Sequence, residues 1–303
     1  MIKKLIHFIF VLLILALVIG IPGAWMLHRS YSDPEVHYFY TKKGEGEQSL
    51  RFVVLSDLYG YVFEGGNGVI ADQAGNTFPD AILIGGNMIT ADTEDLTPLT
   101  DLIKRLVQIA PVYYSYGEQE LKYAANHSTG EGAADSLKEA LENAGAVVLN
   151  ESYADTSLYG IGVRIGGMYN NAYEMTNLRN EVKRRYQGTW NFLNDYQNTE
   201  NLKIMLSIRP ESFLYSDACQ KWDLDLVVSG NDLGGLVVVP HYGGVFGGSQ
   251  GYFPDHVHGM FDKDDVKLFI TSGLSAPKGM IPRLNNPPEI AVVDIDGLSR
   301  EQM

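Results

Sequence analysis

Leu224-Asp225-Leu226-Val227-Val228-Ser229-Gly230-Asn231-Asp232-Leu233-Gly234-Gly235 is the stretch that decides the fold. A short β-branched run breaks off into polar residues and paired glycines. A buried strand ends this way when it delivers side chains to a crevice at the edge of a sheet. Three other segments repeat the device. Residues 50–55 (LRFVVL) lead into Ser56-Asp57-Leu58-Tyr59, residues 81–84 (AILI) into Gly85-Gly86-Asn87, and residues 111–116 (PVYYSY) into Gly117-Glu118-Gln119-Glu120.

Working outward, strands and helices alternate. Leu96, Leu99, Leu102, Ile103, Leu106 and Val107 recur at helical spacing, predicting a helix over 96–109 capped by Thr93 or Asp95. Residues 133–144 read as a second helix, closed by Gly145, with a strand over 146–149. Residues 159–166 suggest a glycine-interrupted strand pair, and 175–196 are largely helical in pattern. Strand character returns at 202–207, 224–229, 236–239, 267–271 and 290–295. No linker divides residues 49–303, so one mixed α/β domain is expected there.

The N-terminus stands apart. Met1-Ile2-Lys3-Lys4 is basic, and residues 5–27 contain no Asp, Glu, Lys or Arg. Such a run spans roughly 35 Å as a helix, enough to cross a bilayer. It exceeds the apolar core of a cleavable signal peptide, and Trp25 lies near its outer end. Residues 1–4 are therefore expected in the cytoplasm, 5–27 as a single transmembrane anchor, 28–48 as a short stalk, and 49–303 outside the cytoplasm. The membrane is thus an expected partner through residues 5–27. The net charge of −14 argues against nucleic acid. Cys219 is the only cysteine, so no internal disulfide or paired-thiol motif exists.

The order of the strand ends resembles the calcineurin-like metallophosphoesterase family, and in particular its membrane-anchored bacterial branch. The resemblance implies a four-layer αββα sandwich and metal-assisted hydrolysis of phosphate esters. Asp57-Leu58-Tyr59 stands where the family has Asp-x-His, Gly86-Asn87 where it has Gly-Asp, and Gly117-Glu118-Gln119-Glu120 where it has Gly-Asn-His-Glu. Ser207-Ile208 stands for Ser-His, and residues 229–235 for Ser-Gly-His-Thr-His-Gly-Gly. The closing segments Ser272-Gly273-Leu274-Ser275, Arg283-Leu284 and Pro287-Pro288-Glu289-Ile290 also resemble the family's tail.

Carried over position by position, the resemblance leaves Asp57 as the one retained ligand of seven. Tyr59, Glu118, Ile208, Asn231 and Leu233 stand at other ligand positions, Asn87 at that of the bridging carboxylate, and Gln119 at that of the general-acid histidine. Ile208 and Leu233 offer no lone pair, and Gln119 cannot deliver a proton at neutral pH. Two dications ~4 Å apart repel by roughly 16 kcal/mol even at an effective dielectric of ~20, and a neutral amide relieves little of that. Asp57 and Glu120 also suit plain structural roles, accepting backbone N–H groups.

The resulting expectation is a membrane-anchored pseudoenzyme with a binding or scaffolding role, holding no cofactor. Its partner would be a small molecule or protein of the cell envelope. Tyr59, Tyr61, Tyr116 and Asn231 as crevice walls suit a neutral or cationic ligand. One alternative is a hydrolase with a remodelled site using a single divalent transition metal or none. Asp57, Asp232 and Glu118 would supply its acidic groups, and the His256-x-His258 pair would hold a metal if a carboxylate joined it. Another is a structural cell-envelope protein whose crevice is filled by side chains.

Overall fold

A computed structural model describes residues 2–127, 136–172, 180–215, 217–279 and 281–299. Two six-stranded sheets carry the chain. The first runs, in spatial order, Glu35–Lys42, Glu289–Leu298, Gln48–Leu55, Ala81–Ile84, Val112–Ser115 and Val147–Leu149. From Gln48–Leu55 to Val147–Leu149 the strands are parallel, with Leu55 beside Ile84 and Ile84 beside Tyr114. Glu289–Leu298 is antiparallel to Gln48–Leu55, and Glu35–Lys42 lies parallel to it at the edge. The second sheet runs Gly259–Lys263, Val266–Ile270, Leu226–Ser229, Leu202–Ser207, Ile161–Met168 and Ser152–Leu158. Its four inner strands are parallel and its two outer ones antiparallel.

The two-residue period of a strand sorts side chains into different cores. Phe52 and Val54 face the second sheet, where they meet Ile165, Ile204, Val228 and Phe269. Val53 and Leu55 face the other way, onto the helices Gly68–Gly75, Thr97–Leu106, Glu118–His127 and Ser136–Asn143. On the far face of the second sheet, Met205, Val227 and Leu268 pack against Leu193 and Tyr196 of the Asn180–Tyr196 helix and against Phe213 and Cys219. The layers are therefore helix, sheet, sheet, helix. Both sheets are covered on both faces, which is why their inner strands read as unbroken apolar runs.

The stalk expected over 28–48 is corrected. Glu35–Lys42 is an edge strand of the first sheet, in register with Glu289–Leu298 from Glu35↔Glu289 to Lys42↔Asp296. Only Phe39 of this strand reaches the inter-sheet core, so its one-sided burial left no apolar run to read. Other differences are local. The strand expected over 236–239 shrinks to Val238–Val239, paired with Gly243–Gly244. The strand pair is longer than expected and turns at Tyr159-Gly160. The beginnings of the helices expected at 133 and 175 lie outside the described residues.

At the N-terminus the chain is helical over Ile2–Leu15 and Ile21–Arg29, joined by a π turn at Ala16–Gly20. The stretch Ile6–Arg29 is 24 residues long, contains no buried residue, and is long and apolar enough to cross a membrane. It meets the sandwich at its last turn. Arg29 forks onto Glu35 at 2.7 and 2.6 Å, and the Asn286 N–H donates to the Ser30 hydroxyl at 3.2 Å.

Candidate functional site

Parallel strands end together, so Asp57, Asn87, Gly117, Ile208 and Asn231 arrive at one edge of the two sheets. The loops there are cross-tied by backbone hydrogen bonds from Asp57 to Gly86, from Tyr59 to Asn87 and from Gly60 to Met88. Asp57, Tyr59, Asn87, Asn231 and Leu233 all hold left-handed backbone angles, with φ of +57°, +50°, +54°, +68° and +51°. That conformation costs on the order of 1 kcal/mol or more for each non-glycine residue, so surrounding contacts must impose it. Glycines allow the close approach. A Cβ on Gly230 would lie 2.4 Å from Asp57 Oδ2, and one on Gly86 would lie 2.3 Å from the Gly117 nitrogen.

At the centre is the Asn87 amide. Its Nδ2 faces three oxygens: Asp57 Oδ1 at 3.0 Å, the Tyr59 hydroxyl at 3.2 Å and Asn231 Oδ1 at 3.4 Å. Its Oδ1 accepts the Gln119 N–H at 3.2 Å, which orients the amide. Asp57 is fully buried. Its other oxygen, Oδ2, accepts from the Ser56 hydroxyl at 2.6 Å and the Asn231 N–H at 2.9 Å. Burial pushes the Asp57 carboxyl up, and these donors oppose the rise. Burial and the nearby Asp57 charge push the Tyr59 phenol well above its usual range.

Glu120 is also fully buried and accepts four hydrogen bonds, from the N–H groups of Asn87, Met88 and Gly117 and from the Tyr114 hydroxyl. It ties two strand-end loops together and does not face the crevice through a free oxygen. Gln119 accepts from the Ala91 N–H at 3.1 Å and lines the cleft described below. Glu118 turns outward and pairs with Lys122 at 2.8 Å. Ile208 and Leu233 are buried, and Ile208 packs against Gly230. Tyr116, expected as a crevice wall, is instead in the first helix-covered core, edge-on to Tyr114.

Asp232 turns away from Asp57 toward Gln250, whose side-chain amide also donates to the His256 carbonyl. The Asp232 Oδ1 is buried and has no hydrogen-bond partner. Burial pushes this carboxyl up to about 8, with Glu211 and Asp57 adding to the rise and Gln250 opposing it. His256 and His258 do not converge. The His256 ring packs edge-on against Phe261, while His258 Nε2 reaches Glu289 Oε2 at 2.6 Å.

The two-metal centre implied by the family resemblance does not fit these residues. An amide NH2, which has hydrogens and no lone pair to give, fills the place of the bridging carboxylate. Both Asp57 oxygens are already engaged by donors. Ile208 and Leu233 bring hydrocarbon. The hydrogens of Asn87 thus do for the surrounding oxygens what a cation would do elsewhere.

No protein-family model matches the chain, and no curated protein matches it. Solved structures do. The phosphopantetheinyl hydrolase PptH from Mycobacterium tuberculosis is similar at 12% identity and a TM-score of 0.45, over 76% of this chain and 90% of that one. The sulfate thiohydrolase SoxB of Thermus thermophilus is similar at 11% identity and a TM-score of 0.42, over 84% of this chain. The NAD nucleotidase NadN of Haemophilus influenzae is similar at 14% identity and a TM-score of 0.42, over 78% of this chain. The chain spans 57% of the SoxB structure and 49% of the NadN structure.

Beside the Asn87 cluster a cleft of about 510 Å³ stays open. Tyr59 and Gln119, which bond the Asn87 amide, also line the cleft, together with Tyr61, Met88 and Thr90. Its charged groups are Asp92, Asp95 and Lys278. Sequence reasoning singled out Tyr59, Tyr61 and Gln119 but missed the acidic rim, because Asp92 and Asp95 lie on a loop with no motif. It also missed what holds the closing loop. Arg283 is fully buried, donates to the carbonyls of Ser272, Ser275, Asn286 and Pro287, and is brought down to about 10 by that burial.

Proposed function

We propose that this chain is a membrane-anchored, extracytoplasmic protein on a metallophosphoesterase-type fold that has lost hydrolytic chemistry and binds a ligand in the cleft beside the former catalytic position. The observation that carries the reading is the Asn87 amide, which donates into the space between Asp57, Tyr59 and Asn231. Such a network leaves neither a bridging ligand nor a free carboxylate to hold two metals and a hydroxide. Five left-handed residues at the strand ends support descent from a geometry built for ligands. The unburied apolar helix Ile6–Arg29 supports the anchor.

The open cleft favours binding over a purely structural role. Its two aspartates outnumber its single lysine, so a neutral or cationic small molecule suits it better than a phosphate. The test uses the full chain in detergent. Phosphodiester turnover in manganese is expected to be absent, while thermal-shift screening with cationic and neutral small molecules is expected to yield stabilisers whose effect is lost in Tyr61→Ala. Turnover that disappears on Asp57→Ala would overturn the pseudoenzyme reading. Stabilisers unaffected by Tyr61→Ala would remove the cleft from it.

A further inference from the structure

Away from the crevice, three potential metal ligands from distant parts of the chain converge. His37 lies on the edge strand Glu35–Lys42, Glu289 at the start of the neighbouring strand, and His258 just before the edge strand Gly259–Lys263 of the other sheet. One ligand atom from each lies within 4.8 Å of the others, and among the described residues no other such cluster of His, Cys, Asp or Glu forms. We propose that His37, His258 and Glu289 bind one zinc-class transition dication, clamping the edges of the two sheets together.

The geometry is close to what such an ion needs. A tetrahedral zinc with bonds of about 2.0–2.2 Å sets its ligands roughly 3.4 Å apart. The carboxylate oxygen Glu289 Oε2 lies 2.9 Å from His37 Nδ1 and 2.6 Å from His258 Nε2. Binding would lengthen those two contacts by several tenths of an ångström and draw together the two ring nitrogens, which lie within 4.8 Å of each other. Two imidazoles with one carboxylate select zinc, cobalt, nickel or copper over magnesium and calcium, which demand oxygen. Both imidazole side chains are 38% exposed, so an ion can enter and water can take the fourth position.

The surroundings brace the ligands as a metal site requires. Glu289 is fully buried, and its other oxygen is fixed by the Thr271 hydroxyl at 2.7 Å and the Ser272 N–H at 3.0 Å. The far nitrogen of His37 faces Glu35 at 3.5 Å, and Arg29 holds Glu35 in turn. A carboxylate behind a ligating imidazole orients the ring and raises its basicity. Phe39 stands edge-on to His258 at 5.6 Å and limits solvent on that side. This chain of contacts starts at the last turn of the apolar helix, so the ion would stiffen the point where the helix joins the sandwich.

The test is metal binding by the full chain in detergent after chelator stripping. Zinc is expected to bind at one equivalent per chain and raise the unfolding midpoint, cobalt to give the visible absorption of a tetrahedral site, and magnesium not to bind. His37→Ala and His258→Ala, at half-exposed rings, are each expected to weaken zinc by more than about tenfold while the chain stays folded by circular dichroism. Glu35→Gln is expected to weaken it by about tenfold with the stoichiometry kept. Asp57→Ala is expected to leave the equivalent in place. No zinc binding at micromolar concentration, or uptake unchanged in the two histidine variants, would overturn the proposal. An equivalent lost on Asp57→Ala alone would move the ion to the crevice and overturn it too.

Discussion

Asn87→Asp supplies the carboxylate that a two-metal bridge would need, and it should destabilise this protein. The new carboxylate would lie where the Asn87 Nδ2 now donates to Asp57 Oδ1 at 3.0 Å, in a position 1% exposed. Two charges at that separation repel by roughly 5 kcal/mol at an effective dielectric of ~20. The pair escapes by keeping a proton. An aspartate that ionises near 3.9 in the unfolded chain but stays protonated when folded loses about 1.4 kcal/mol of stability per pH unit above that value. The cap is therefore about 1.5 kcal/mol at pH 5 and about 4 kcal/mol at pH 7, close to the Coulomb figure. The sign follows from linkage. The folded variant binds more protons than the unfolded chain, so stability falls as pH rises until the folded pair ionises. Denaturant unfolding of wild type and variant between pH 5 and 8 measures the difference. A variant as stable as wild type at pH 7, or one rescued by manganese with phosphodiester turnover, would refute the reasoning.

Other outcomes follow from the same contacts. Glu120→Gln puts an amide NH2 among four donors and should cost about 2–4 kcal/mol in denaturant unfolding. Asp232→Asn should stabilise the protein most at pH 8 and least near pH 4. The wild-type carboxyl is raised to about 8, so its folded form holds a proton the unfolded chain releases, and stability is lost across that window. Unfolding midpoints against pH would flatten in the variant, and an unchanged slope would place the orphan oxygen of Asp232 in contact with solvent. Gly230→Ala must displace Asp57 Oδ2, Ser56 Oγ and Ile208, and should cost about 2 kcal/mol or more on the same measurement.

Much of the architecture is legible because inner parallel strands must be apolar on both faces. Residues 81–84 and 202–207 are strands over the same spans in sequence and structure, and the helix expected over 96–109 is ordered over Thr97–Leu106. Glu35–Lys42 was illegible for the converse reason. An edge strand needs only one buried face and one hydrogen-bonded neighbour, and that neighbour lies more than 250 residues later. In the crevice, residue types alone predicted that Ile208 and Leu233 could not ligate. They did not predict that Tyr116 would turn into a core or that Asp232 would turn toward Gln250.

The strand ends show where the division lies. Their order, glycine spacing and lack of donor atoms are properties of the chain itself, and they set the layered fold and the poverty of the ligand set. Which groups answer one another there was decided only in three dimensions. The Asn87 amide meets Asp57, Tyr59 and Asn231 because parallel strands bring their ends into line, and left-handed turns aim the side chains inward. His258 leaves His256 and joins His37 and Glu289 because the two sheet edges stack, a proximity that no local pattern encodes.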